Sequence, residues 1–488
     1  MKKKMFVFLI PIVLIIIYLL PRKENKELVS NTDNLVSFTV DGVESKTMPT
    51  KGSGYIANKI TCKNGSIITF DNDNYIIEVE KLESADACKI DFSKEKGSNT
   101  VTVTISDTSK IDSTSKTTTE GGKVVFYLTG EPESITGGEY TLSSNKLIVN
   151  NIISNINLNI TMSKTLYDQL LIDNSTIKTR TDFDTTFTET NTGTLYKATE
   201  SIAGNTPKDV YYFAGDAKNN WVKFAGFYWR IIRTNDDGSI RLLYSGTSHN
   251  TTSGYIWTSA FNSPYNDPMH VGYMYGTTGS LENNRLNTNN SAIKTYIDNW
   301  YKNNLSSYSK YISTEAVYCN DRELAPGSTY NTGNTSFGYA TKGRLNTNKT
   351  PTYNCTNIKD AFSGSNSEAK LTYPIGLMTA DEIAYAGGKE FTSLPSPYAW
   401  YYLNSAGESI TGSTYWWSLS PFGWSGSYST VWVVFVSSNP GYLSYIRAND
   451  TSYGVRPAIS LKTCIKYSTG NGAPETPYEI ILDPDISC

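Results

Sequence analysis

The chain has 488 residues, a formal net charge of −3 and only 18% charged residues. It is long enough for several domains and has no basic excess that would argue for nucleic-acid binding. Aromatic residues make up 12% of it, with 35 Tyr and 9 Trp set among abundant Ser, Thr, Asn and Gly. That mixture suits a β-rich extracellular protein with polar loops and aromatic contact surfaces. Only two histidines occur, His249 and His270, without HExxH spacing, which argues against a multi-histidine metal centre.

Lys2, Lys3 and Lys4 precede an apolar run from Met5 to Leu20, followed at once by Pro21, Arg22 and Lys23. Residues 1–27 therefore read as a signal anchor, with a cleaved signal peptide as the alternative. The first reading attaches the chain to the membrane by a single pass with its bulk outside the cell. The second secretes it. Export makes pairing the expectation for the six cysteines. They fall into three local couples, Cys62 with Cys88, Cys319 with Cys355, and Cys464 with Cys488, and no CxxC occurs.

Residues 28–96 and 97–163 read as two related β-sandwich-like modules. An offset of 70 places Val79, Leu82, Cys88, Ile90 and Phe92 on Val149, Ile152, Leu158, Ile160 and Met162. Period-2 stretches such as Asn99–Ile105 and Val124–Leu128 mark short strands. A stalk is the plainer role for these modules. Residues 164–194 read as a linker with a short helix-compatible piece around Leu166 to Ile172, and 195–488 as the final domain. Within it, 221–233 followed by a Gly-containing turn and 239–244 is a hairpin signal. Ile293, Tyr296, Ile297, Trp300 and Tyr301 recur at helical spacing, predicting a helix over 291–303. Thr379 and Glu382 form a capping-box pattern before a helix that Gly387 and Gly388 stop. The region from Trp416 to Leu461 reads as a β-meander, with Val431 to Val436 apolar on both faces and so inside a sheet. The pentapeptides Arg285–Asn289 and Arg344–Asn348 are identical.

The stretch Leu377-Met-Thr-Ala-Asp-Glu-Ile-Ala-Tyr-Ala-Gly-Gly388 and the ending Tyr453-Gly-Val-Arg-Pro-Ala-Ile-Ser-Leu461 resemble formylglycine-generating-enzyme-like (sulfatase-modifying-factor) proteins, a branch of the C-type-lectin-like fold. Trp416-Trp417-Ser-Leu-Ser-Pro421 is also similar to a segment of bacterial surface proteins that carry such a domain. The resemblance, over about 210 to 465, implies an α+β C-type-lectin-like domain after the two all-β modules.

The resemblance does not carry catalysis. The family's enzymes use a close cysteine pair or three histidines, and neither set exists here, so the chain reads as no enzyme and without a cofactor. The sugar-holding calcium motifs of lectins are missing, and Asn449-Asp450 leaves calcium only as a weak alternative. Binding remains, through Trp424, Ser425, Ser427, Tyr428, Tyr442, Tyr445, Asn449, Asp450 and Tyr453. Trp424, Tyr442, Tyr445 and Tyr453 are expected to be exposed, and Trp417 and Trp432 to be core. The expected partners are the membrane, through the anchor, and an extracellular glycan or protein ligand. A structural envelope role without a specific ligand is one alternative, and a formylglycine-generating-enzyme-like oxidase is the other.

Overall fold

The computed structural model describes residues 36–94, 97–129, 132–162, 164–484, 486 and 488. The chain divides into two units, 1–163 and 164–488. It is mostly strand, with few helices and several small sheets. No helix among the described residues is long and apolar enough to cross a membrane, and the run Met5–Leu20 lies outside them.

The first unit repeats one strand plan. In its first half Val36–Val40 runs parallel to Cys88–Lys94, flanked by Val43–Ser45 on one side and Tyr55–Cys62 on the other. In its second half Asn99–Ile105 runs parallel to Ile156–Met162, flanked by Ser115–Thr118 and Pro132–Thr136. A hairpin covers the inner face each time: Ile67–Asp71 with Ile76–Lys81, and Thr141–Ser143 with Lys146–Ile152. Alternate residues point inward, so Cys88, Ile90 and Phe92 are buried with Ile68 in one core, and Leu158 and Ile160 with Leu147 and Val149 in the other.

The two halves differ by one strand. Gly122–Tyr127 pairs with the free side of Lys146–Ile152, whereas among the described residues Ile76–Lys81 has only its hairpin mate. Val149 and Ile152 are accordingly buried, while Val79 and Leu82, their counterparts at the offset of 70, are exposed. The first half is instead stapled by Cys62–Cys88, which are direct cross-strand partners.

In the second unit, strands Thr176–Lys178, Thr194–Glu200, Lys208–Tyr212, Phe227–Thr234, Trp221–Phe224, Tyr478–Ile480 and Tyr467–Thr469 follow one another across a ten-stranded sheet. A branch of the same sheet carries Ile240–Tyr244, Pro457–Leu461 and Gly376–Leu377. Phe337–Gly338, Trp416–Trp424, Ser429–Val434 and Leu443–Arg447 make a separate four-stranded sheet. The helix Ala292–Asn304 starts at the cap Ser291 and buries Ile293, Ile297 and Tyr301. The helix Ala380–Ala386 has the full Thr379/Glu382 capping box and ends at Gly387, whose φ of 120° suits glycine. All three disulfides expected from the spacing are formed, which fits an extracellular protein.

Three expectations change. The segment 164–194 is part of the second unit rather than a linker: helix Leu166–Asp173 puts Leu166 and Leu170 into its core, and Arg180 donates to the Ala384 and Tyr385 carbonyls. The run 221–233 is two strands, because Ala225 and Gly226 take positive φ and turn the chain. The final strand Pro457–Leu461 leaves the meander and pairs with Ile240–Tyr244 and Gly376–Leu377 in the large sheet.

Buried charge joins these pieces. Glu382 meets Arg233 at 2.9 Å and Arg241 at 2.8 Å, and Arg233 also grips Glu200. Both pentapeptide arginines hold a pair of carboxylates: Arg285 those of Asp360 and Glu323, Arg344 those of Asp321 and Asp381. Replacing Glu382 by Ala leaves two buried guanidinium groups without their shared anion, a loss of about 3–5 kcal/mol. All nine tryptophans lie in the second unit, so urea unfolding followed by their emission measures it, and a loss below about 1 kcal/mol contradicts it. In the first unit burial raises the pKa of Asp86, but hydrogen bonds from the Ser66 and Asn64 backbone outweigh this and hold it at about 2, below the ordinary 3.8. A depressed carboxylate stabilises the fold above its unfolded pKa, and that contribution disappears as pH falls from about 4 to about 2. The unfolding transition that is silent in tryptophan emission should drop in temperature across that window, and less so in Asp86→Asn.

Candidate ligand-binding face

The four-stranded sheet sorts its side chains by pairing. Val431 faces Ile446, Trp432 faces Tyr445 and Val434 faces Leu443, so Trp432 and Tyr445 lie side by side on one face. The central strand Ser429–Val434 is buried throughout, whereas in the edge strand Leu443–Arg447 Tyr445 is 40% exposed. Phe422, at a bulged part of Trp416–Trp424, stacks on Tyr445 with ring centroids 3.7 Å apart and meets Trp432 edge-on at 4.8 Å. Phe391 arrives from a distant loop. Its N–H donates to the Leu443 carbonyl, and its ring, 38% exposed, lies 6.1 Å from those of Trp432, Tyr442 and Tyr445.

From Phe391 the ring contacts continue. Tyr442 meets Phe435 at 5.7 Å, Phe435 stacks on Tyr415 at 4.4 Å, and Tyr415 meets Tyr453 at 5.7 Å. Tyr442, Phe435 and Tyr415 are half-buried. The result is a run of partly exposed rings, each held by the next, that passes round the edge of the sheet from Tyr445 to Tyr415, because Tyr442 and Phe435 lie an odd number of residues from Tyr445 and Trp432 and so on the opposite face. Such offset and edge contacts add about 0.5–1.5 kcal/mol per pair beyond area burial.

Of the residues expected to bind, Tyr445 and Tyr442 stand on this strip. Trp424 and Tyr453 do not present their faces to solvent, contrary to expectation. Trp424 is 3% exposed, because its Nε1 donates to the Gly333 carbonyl at 2.8 Å and the ring is covered from that side of the fold. Tyr453 is packed between Tyr415 and Trp417, and burial pushes its phenol up to about 12. Trp417 and Trp432 are core, as expected. Ser425 and Ser427 are exposed, but Ser425 Oγ accepts from the Ser427 and Tyr428 N–H groups and so shapes its own turn. Asn449 and Asp450 are half-buried, and Asp450 accepts from Ser452 N and Oγ. Tyr428, also half-buried, lies under the Arg447 guanidinium at 4.3 Å. Phe391, Phe422, Phe435 and Tyr415 went unnoticed in the sequence. The alternation of Leu443–Arg447 against Ser429–Val434 could have indicated the face, but nothing local points to Phe391.

Two open hollows of about 410 and 260 Å³, the first lined by Asn471, Glu475 and Glu479 and the second by Asp236, Asp237 and Asn366, lie elsewhere in the second unit. A cavity of about 20 Å³ lined by Arg233, Asp321, Arg344, Asp381 and Glu382 has room for about one water, and its charges already pair with one another. Among the described residues the one metal-like cluster is Cys62, Asp86 and Cys88, whose two sulfurs are bonded to each other. No family model, curated protein or solved structure matches the chain.

Trp257 is 65% exposed and Trp300 half-buried, while the other tryptophans are buried. Iodide quenching should therefore fall sharply in Trp257→Phe and stay unchanged in Trp424→Phe. A reduced quenchable fraction in Trp424→Phe would place that ring at the surface after all.

Proposed function

We propose that this is an exported bacterial surface protein, held at the membrane by residues 1–27, whose second unit binds a glycan along the strip Tyr445–Phe391–Tyr442–Phe435–Tyr415. The observation that carries the proposal is the continuity of the strip. Ring follows ring in steps of 4.4 to 6.1 Å with interplanar angles of 82°, 59°, 31° and 14°, so the run offers a sugar chain a series of ring edges and faces. The apolar C–H face of a pyranose packs on an aromatic ring, and its hydroxyls remain in water or meet the Ser and Asn groups around the strip.

A protein ligand fits less well. Stable protein interfaces bury about 800 Å² on each partner, and only Tyr445 and Phe391 of the strip are more than a third exposed. Three disulfides and the aromatic-rich composition support an extracellular location. The lectin-like reading of the second unit draws support from the pairing of Gly376–Leu377 with Pro457–Leu461, because these strands belong to the two segments that carry the resemblance. The first unit serves as a spacer in this reading.

Depletion of the detergent-solubilised full chain by insoluble polysaccharides, and calorimetry with soluble ones, test the proposal. Tyr445→Ala and Phe391→Ala should each weaken binding about threefold to tenfold, the worth of one aromatic contact. Unchanged affinity in the double variant, or no saturable binding to any polysaccharide, would overturn the glycan reading.

A further inference from the structure

Two cations border the strip. Lys342 Nζ lies 4.9 Å from the centre of the Phe422 ring, the ring on which Tyr445 stacks. Arg447 is two residues beyond Tyr445 on the same regular edge strand, hence on the same face, and it is exposed. Its guanidinium rests on Tyr428. Neighbouring charges are engaged elsewhere: Lys349 with Glu390, Lys389 with Asp184, and Arg344 with Asp321 and Asp381. Asp450 keeps its charge but directs one carboxylate oxygen to Ser452 and forms no ion pair with Arg447. Among the described residues Lys342 and Arg447 rest on ring faces and make no ion pair with a carboxylate.

We infer that the glycan bound at this face is anionic, carrying carboxylate or sulfate groups along its chain. The inference rests on the aromatic-strip reading above and adds the ligand's charge to it. A ring platform selects for a sugar's apolar face without regard to charge. A cation at its border favours a sugar whose acid group projects sideways from the stacked ring, and two cations favour a chain with repeated acid groups. Arg447 can grip a carboxylate or sulfate with two parallel N–H groups, while Lys342 supplies a mobile point charge. Both are solvated in the free protein, so their attraction is screened by salt. The rings' contribution is not.

The full chain in detergent is titrated with dextran as the neutral polymer, polygalacturonate as the carboxylate-bearing one and dextran sulfate as the sulfate-bearing one. Each titration is run at about 50 mM and about 500 mM salt, where the screening length differs severalfold. The same polymers are offered to Tyr445→Ala and to Lys342→Gln/Arg447→Gln, with the emission spectrum of the buried tryptophans as the check on folding. The expected result is tighter binding of one or both anionic polymers than of dextran. That preference should shrink at high salt and fall about tenfold in the charge variant, whereas Tyr445→Ala should weaken the binding of all the polymers. The polymer with the larger preference tells carboxylate from sulfate. If Tyr445→Ala abolishes binding while the charge variant keeps the anionic preference, the anionic inference is wrong and the aromatic site stands. If binding of the anionic polymers drops in the charge variant but is untouched by Tyr445→Ala, the contact is plain ionic adsorption, and both the site and its ligand class are wrong. Equal binding of all three polymers by the unaltered chain also overturns the inference.

Discussion

The carboxylate of Glu382 is the point on which the second unit turns. One oxygen faces Arg233 and Arg241 from two adjacent strands, and the other accepts the N–H of Thr379 at the start of its own helix. Neighbouring arginines and desolvation pull on it in opposite directions, and the outcome is a pKa below the ordinary carboxylate value despite complete burial. Burying such a charge is expensive, so the arrangement pays for itself in uniqueness of position more than in stability. Once the helix Ala380–Ala386 is fixed on the large sheet, the rest of the site follows. Met378 O accepts from Leu419 N, and Ser420 Oγ accepts from Ala380 N, which pins the strand Trp416–Trp424. The chain leaving the helix at Gly387 delivers Phe391 to the edge strand Leu443–Arg447. A capping box thereby places a ring of the proposed binding strip.

The abundant aromatic residues are mostly spent inside. Arg456 is wholly buried, and among the described residues it forms no ion pair with a carboxylate. It donates to the Tyr244 and Tyr401 carbonyls and lies 4.8 Å from the centre of the Trp416 ring. Arg230 lies between the Ala217 carbonyl, Asn220 Oδ1 and the face of Trp221, with Asp216 as its more distant counter-charge. Burial pulls both guanidinium groups down to about 9, and ring quadrupoles with carbonyl dipoles stand in for counter-ions. Composition alone cannot tell a tryptophan that covers a buried cation from one that meets solvent. That is the reason Trp424 was expected at the surface when its indole in fact serves the Gly333 carbonyl far away in sequence.

Features governed by local rules were legible. The capping box Thr379/Glu382, the helix beginning at Ser291, the doubly apolar strand Val431 to Val436 and the local cysteine couples depend on near neighbours and appear in the structure. The offset of 70 between the two halves of the first unit also corresponds to a shared strand order. Features governed by distant partners were not legible. Leu166 and Leu170 look like a fragment beside a Thr-rich linker until the core that receives them is known. The strand Pro457–Leu461 follows its predecessors closely in sequence but pairs with strands introduced far earlier. The pentapeptide arginines disclosed their role only through Asp360, Glu323, Asp321 and Asp381, none of which lies nearby in sequence.

A run of surface rings outside a pocket has a specific energetic problem, because it cannot surround its ligand and gains little area per sugar ring. What compensates is rigidity. Each ring of the strip is held by its neighbour, and beneath them Trp432 is clamped by Phe422 and Phe391 on a strand buried along its whole length. Tyr and Phe have two side-chain torsions to lose, and here those torsions are already fixed in the free protein. Less of each weak contact is then consumed in ordering the side chains that make it. Affinity in such a design grows with the number of sugar rings engaged at once, as effective concentration raises the yield of each successive contact. The proposed ligand is for this reason a chain rather than a single sugar, and the succession of rings is as much a part of its specificity as any one residue on it.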